Sequence, residues 1–287
     1  MPFLVIASLL WAFSFGLIKH YLVGLPPAWV ACVRLLLSLL LFAPVLKPRA
    51  VRVRDAAALA GVGAVQHGLM YVFYLFAYRF LSGAEVALFT VLTPVYVTLM
   101  HDAGTRRFHR LFLLAACLAA AGSAVIVAWH RDTWGTLGGF LLVQASNLCF
   151  AAGQLAYRRV MRTVGVAEDH RVFAWVYLGA FAMALAALPL TGVAAWPAVS
   201  ARQWVVLAYL GLVPSGVAFF LWNAGARRVA SGTLAAMNNA KVPLGVIASL
   251  AVFGERPPLL PLLAGGAAVL AAVWLCERER LRSSDCA

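Results

Sequence analysis

Residues 214–258 read PSGVAFFLWNAGARRVASGTLAAMNNAKVPLGVIASLAVFGERPP. The stretch is two apolar helices joined at Arg227-Arg228, with a single lysine, Lys241, set deep in the second. Lys241 lies ten positions beyond Ser231, where that helix is expected to begin. At about 1.5 Å of rise per residue it sits roughly 15 Å in, near the middle of a hydrocarbon layer about 30 Å thick. A cation at that depth costs roughly 2.5–3.5 kcal/mol on insertion scales, so it faces protein or water and has a partner. An anion is expected to meet it.

The rest of the chain has the same character. Of 287 residues, 64% are apolar and 11% charged, and the mean hydropathy is +0.90. A soluble domain of this length needs far more polar surface, so the chain is expected to be an all-α integral membrane protein. The five cysteines (Cys32, Cys117, Cys149, Cys276, Cys286) are scattered, with neither a C-x-x-C nor a paired spacing. Disulfides, metal ligation and cofactors are therefore not expected.

Cutting at charged or Pro/Gly-rich breaks leaves about ten spans: 3–23, 28–46, 56–78, 83–101, 110–129, 136–157, 172–191, 203–225, 231–253 and 258–276. Residues 3–23 read as the first span rather than a signal peptide, since no basic segment precedes them and no clear cleavage site follows. The loops are short and leave no separate soluble domain. With both termini in the cytoplasm, sixteen of the 23 Lys and Arg fall in inside loops, four in outside loops and three (Lys19, Arg34, Lys241) within spans. That bias orients the chain, and it explains a formal net charge of +13 without any nucleic acid.

Sliding the chain against itself by 149 places Ala77 on Ala226, Arg79 on Arg228, Ser82-Gly83 on Ser231-Gly232, Ala87 on Ala236 and Pro94 on Pro243. Ten spans split into five and five, and a repeat with an odd number of spans inserts upside down relative to its twin. Two inverted five-helix repeats, 1–132 and 133–287, are expected, with substrate held between them.

Particular segments then carry a resemblance. SGTLAAMNNAKVP (231–243), followed by GERPPLLPLLAGGAAVLAAVWL (254–275), resembles the closing helices of the EamA branch of the drug/metabolite transporter superfamily. Trp11 in the opening helix, Arg34 in the second span and SGAEVALFTVLTP (82–94) agree with it. The first half departs where such proteins often carry a second Gly-Glu: this chain has His101-Asp102-Ala103-Gly104. The resemblance implies ten helices, a central cavity and secondary transport of a small metabolite by alternating access, with export ahead of uptake. It names no substrate.

Several residues are candidates to contact that substrate. Asn238 shares a broad face with Lys241, Gly245 lies one turn later, and Pro243 frees a carbonyl nearby. The repeat partner of Lys241 is Leu92, so the scaffold does not require the charge. Gln144, Asn147, Ala151 and Gln154 form one stripe on the sixth span, either lining a cavity or bonding neighbouring helices. Tyr71 and Tyr74 follow His67 and Gln66 on the third span; Trp222 and Asn223, with Trp11 and Ser14, are candidate aromatic and polar walls. His67 and Glu85 are the candidates for proton coupling. Lys19 and Arg34 sit in the outer third of their spans, Arg34 expected to pair with Glu85 or Glu255, and Glu255-Arg256 to stabilise an outer turn.

An unmatched buried cation favours a substrate bearing a carboxylate: an amino acid, an organic acid or an opine-type metallophore. An exporter of cationic or neutral drugs and amines is the alternative, and it calls for a deep cavity carboxylate. A membrane-embedded enzyme acting on a lipid would need clustered acids, histidines or a nucleophile, and the six histidines are dispersed. His130-Arg131-Asp132 lacks every other kinase element, and no phosphate-binding G-x-x-x-x-G-K-[ST] occurs. The expected partners are a small-molecule substrate and the lipid bilayer, in the bacterial inner membrane. The protein is expected as a monomer or homodimer, with Gly265-Gly266 a possible close-packing face between protomers.

Overall fold

The computed structural model describes residues 2–105, 118, 121–122, 133–165, 168–189, 196–229, 231–255, 260, 263–264, 267–268, 271 and 274. Eight helical runs lie within them. They are α1 (Pro2–Leu22), α2 (Pro27–Val45), α3 (Val53–Ala77), α4 (83–105), α5 (Thr133–Val164), α6 (Phe173–Ala187), α7 (Ala201–Ala226) and α8 (Ser231–Ala251). Among the described residues, α1, α2, α3, α5 and α7 are long and apolar enough to cross a membrane; α6 and the apolar part of α4 (Gly83–Val97) are shorter. The expected spans 110–129 and 258–276 fall largely outside the described residues.

Helix ends follow local chemistry. Pro27 occupies the first turn of α2, where its missing N–H leaves no bond unmade. Ser82 and Glu85 form a reciprocal capping box at the start of α4, and Ser200 and Gln203 do the same for α7. α5 runs seven residues beyond its expected end at 157. Nothing breaks it until Gly165, whose φ of 69° is a left-handed stop that glycine adopts without penalty.

The contacts between helices close a circuit. α1 packs on α7, α7 on α2, α2 on α6, α6 on α3, α3 on α5, α5 on α4, α4 on α8, and α8 back on α1. Exchanging α1 with α5, α2 with α6, α3 with α7 and α4 with α8 maps this circuit onto itself.

Lipid does not drive helices together, so close backbone approach must. α3 and α6 come closest: a methyl group on Gly63 would fall on the Val176 backbone, and one on Gly179 would fall on the Ala60 backbone. The outward faces carry Leu40, Val205 and Ile247, exposed as lipid-facing side chains are. Near one end of α5 and α7 the buried Asp169 carboxylate accepts from Tyr157 Oη (2.6 Å) and pairs with Arg227 Nη1 (2.8 Å).

Candidate functional site

The site is built around a break in α7. Pro214 has no N–H to donate, and residues Gly211–Ala218 bond five residues back rather than four, which widens the helix and turns carbonyls outward. Neighbouring helices supply the missing donors. Ser38 Oγ donates to Gly211 O (2.8 Å), Trp11 Nε1 to Pro214 O (2.9 Å), and Tyr177 Oη lies 2.7 Å from both Ser215 O and Gly216 O. α3 carries the same kind of wide turn at Ala64–Leu69, which the 149-residue shift sets on 213–218.

The wide turn also presents the Ser215 hydroxyl to α2. There Arg34, 1% exposed, donates from Nε to Ser215 Oγ (3.0 Å) and from Nη2 to Tyr71 Oη (2.8 Å). Tyr71 Oη and Ser215 Oγ are 2.9 Å apart, closing a triangle, and the guanidinium carbon lies 4.4 Å from the Tyr71 ring centroid. The third nitrogen, Nη1, is buried without a hydrogen-bond partner, and no carboxylate pairs with Arg34 among the described residues. The expected pairing with Glu85 or Glu255 is therefore corrected. Both acids are engaged at the start of α4: Glu85 Oε2 accepts from Ser82 N and Oγ, and Glu255 accepts from Gly83 N and Ala84 N.

Arg34 stands at the wall of a cavity between the helices. Trp11, Ser14 and Phe15 of α1, Met70, Tyr71 and Tyr74 of α3, Thr90 and Thr93 of α4, Ser146, Asn147 and Phe150 of α5, and Phe219 of α7 complete the lining. The empty space between these helices, open mouth included, is ≈ 510 Å³. The aromatic walls are in mutual contact: Trp11 lies 4.8 Å from Phe219 and 6.1 Å from Phe150, centroid to centroid. Asn147 is held in place on α5, donating to Phe89 O and to Gln144 Oε1 (3.0 Å each). Among the described residues the site thus offers one cation, several hydroxyls, an amide and stacked rings. It suits a compact, partly apolar molecule with an acidic end.

Of the expected residues, Trp11, Ser14, Tyr71, Tyr74 and Asn147 line this cavity. Gln144, Gln154, Trp222, Asn223 and Asn238 are buried but do not. Gln144 accepts from Tyr96 and Asn147, Trp222 Nε1 donates to Gln154 Oε1 (3.1 Å), and Gln66 Nε2 donates to Asn223 Oδ1 (3.0 Å). Asn238 turns back to Leu234 O (3.0 Å). Much of the sixth-span stripe thus bonds helix to helix. His67 lies off the cavity, its ring 4.5 Å from Phe219 and both nitrogens without hydrogen-bond partners, and Glu85 caps α4. Lys241 belongs to α8, but its side chain lies outside the described residues.

Sequence reasoning did not place Phe15, Met70, Thr90, Thr93, Ser146, Phe150 or Phe219 on this cavity, and it put structural pairing of Arg34 ahead of substrate contact. A signal for Arg34 was available: it is a cation within WVACVRLLLSLL, with no acid on its own helix.

The EamA-like transporter family model matches residues 1–128 and again 137–276. The chain belongs to the EamA-like transporter family. It is a multi-pass membrane transporter and not an enzyme. It is 40% identical over 276 residues to a biotin transporter of Salmonella typhimurium, covering 96% of this chain and 92% of that one. It is 39% identical to a biotin transporter of Escherichia coli K12, over the same shares, and 39% identical to a probable biotin transporter of Pseudomonas aeruginosa, covering 96% of each. A crystal structure 21% identical superposes with a TM-score of 0.65, covering 96% of this chain and 95% of that chain, which is a likeness in fold.

Proposed function

We propose that this transporter carries biotin across the bacterial inner membrane by alternating access between two inverted five-helix halves, with both termini in the cytoplasm. The observation that carries the reading is identity of 39–40% across nearly the whole chain to proteins that carry that name. The cavity fits it. Biotin has a fused bicyclic ring rich in hydrogen-bonding groups, an apolar side chain and a terminal carboxylate, and the lining supplies hydroxyls and an amide, stacked rings and Arg34. The two-fold character of the proposal rests on the helix circuit that maps onto itself and on the wide turns of α3 and α7 matched by the 149-residue shift. Cationic drugs fit less well, because Arg34 is the charged group among the described lining residues.

The test is flux into proteoliposomes. Purified protein should give saturable movement of radiolabelled biotin, competed by unlabelled biotin and absent from empty liposomes. Label loaded inside or outside reads the direction of net transport. Flux equal to that of protein-free vesicles, with protein shown to be folded by gel filtration, would sink the proposal.

A further inference from the structure

We infer that Arg34 is the receptor for the substrate's carboxylate, an assignment that deepens the transport reading above and rests on it for the identity of the substrate. The inference starts from an imbalance. A guanidinium buried in a membrane protein normally meets an acid, because two neutral hydroxyls do not balance its charge. Among the described residues the Arg34 side chain bonds only Tyr71 and Ser215, held in a closed triangle, and its Nη1 has no hydrogen-bond partner. The side chain borders the cavity itself.

The triangle also fixes the direction of the fork. Nε and one N–H of Nη2 are committed to Ser215 and Tyr71, which locks the guanidinium plane and leaves the two N–H of Nη1 and the second of Nη2 to be met by a ligand's oxygens. An incoming carboxylate supplies the missing anion and gives Nη1 the acceptor that it lacks. Trp11 and Phe219 then lie where an apolar chain attached to that carboxylate would run. Arg34 and Tyr71 come from the first half of the chain and Ser215 from the second, so the bound carboxylate would sit on a joint between the halves.

The experiment compares acids with their neutral amides. Binding of biotin and biotinamide, and of lipoate and phenylalanine with their amides, would be measured by thermal stabilisation of purified wild type, Arg34→Gln, Arg34→Lys and Lys241→Gln. Wild type is expected to prefer the acid by at least about tenfold, the worth of a charge-assisted hydrogen bond in a buried site. Arg34→Gln should lose that preference while keeping its affinity for the amide, and Arg34→Lys should recover part of it. Equal binding of acid and amide by wild type in every pair overturns the assignment without any variant. Preference retained in Arg34→Gln but lost in Lys241→Gln overturns it in favour of the lysine. If biotin is inert while another acid is preferred through Arg34, the receptor stands and the biotin reading falls.

Discussion

Glu255, just beyond the end of α8, caps Ala84 at the start of α4. Its Oε2 accepts from Ala84 N at 3.0 Å while Oε1 accepts from Gly83 N at 3.1 Å. Gly254, at a φ of 64°, turns the chain so that the carboxylate can reach. A full negative charge then lies on the two free N–H groups at a helix start, where the helix dipole favours it. The contact joins the second half of the chain to the first. Glu255→Ala should lower stability by about 1–2 kcal/mol, the usual worth of a cap, and Glu255→Gln by less. Thermal unfolding in detergent reads both. Melting points unchanged in the two variants would mean that the cap contributes nothing.

Tyr177 serves two carbonyls that the wide turn of α7 turns outward, Ser215 O and Gly216 O. Tyr177→Phe keeps the ring packing and removes the side-chain donor that the two carbonyls share. A loss of about 1–2 kcal/mol is expected, since buried carbonyls lose a bond that lipid cannot replace. The same unfolding assay checks it, and an unshifted curve would show that the carbonyls find another donor.

The α3–α6 approach makes a sharper contrast. Gly179→Ala would press a methyl group onto the Ala60 backbone, and overpacking of this kind costs about 1–3 kcal/mol. Gly138→Ala in α5 meets nothing within 4 Å and should be neutral or add up to about 1 kcal/mol through helix propensity. Equal melting points for the two variants would remove close packing as the reason for Gly179.

Asn147 and Gln154 share a helix face yet have different surroundings. Asn147→Ala takes an amide from the cavity wall and should raise KM for the transported substrate by about fivefold, the worth of one hydrogen bond. Gln154→Leu removes the partner of Trp222 Nε1 away from the cavity and should lower the melting point with little change in KM. The reverse pattern in transport kinetics would place the substrate along the Gln154–Trp222 pair instead.

The contrast within that stripe shows where the sequence was legible. Helical spacing does set Gln144, Asn147 and Gln154 on one side of α5. It carries no information on what stands opposite each of them, because that depends on how α4, α7 and α3 cross it. α4 takes Gln144 and Asn147 through Tyr96 and the Phe89 carbonyl, while α7 takes Gln154 through Trp222. Arg34 is a similar case. Sequence placed a cation inside a span, and charge balance then suggested Glu85 or Glu255, but both acids are engaged at the N-terminus of α4.

The amino-acid sequence by itself determined an all-helical membrane protein, the limits of most of its described helices to within a few residues, and its family. Those features are local: in hydrocarbon each helix must satisfy its own backbone, so apolar length and helix-breaking residues mark the spans. Only the tertiary structure decided which polar side chains face a cavity, which join helices, and that Arg34 meets two hydroxyls and, among the described residues, no acid. Those outcomes turn on the crossing of helices far apart in sequence, where a break at Pro214 re-aims a serine toward an arginine 181 residues earlier.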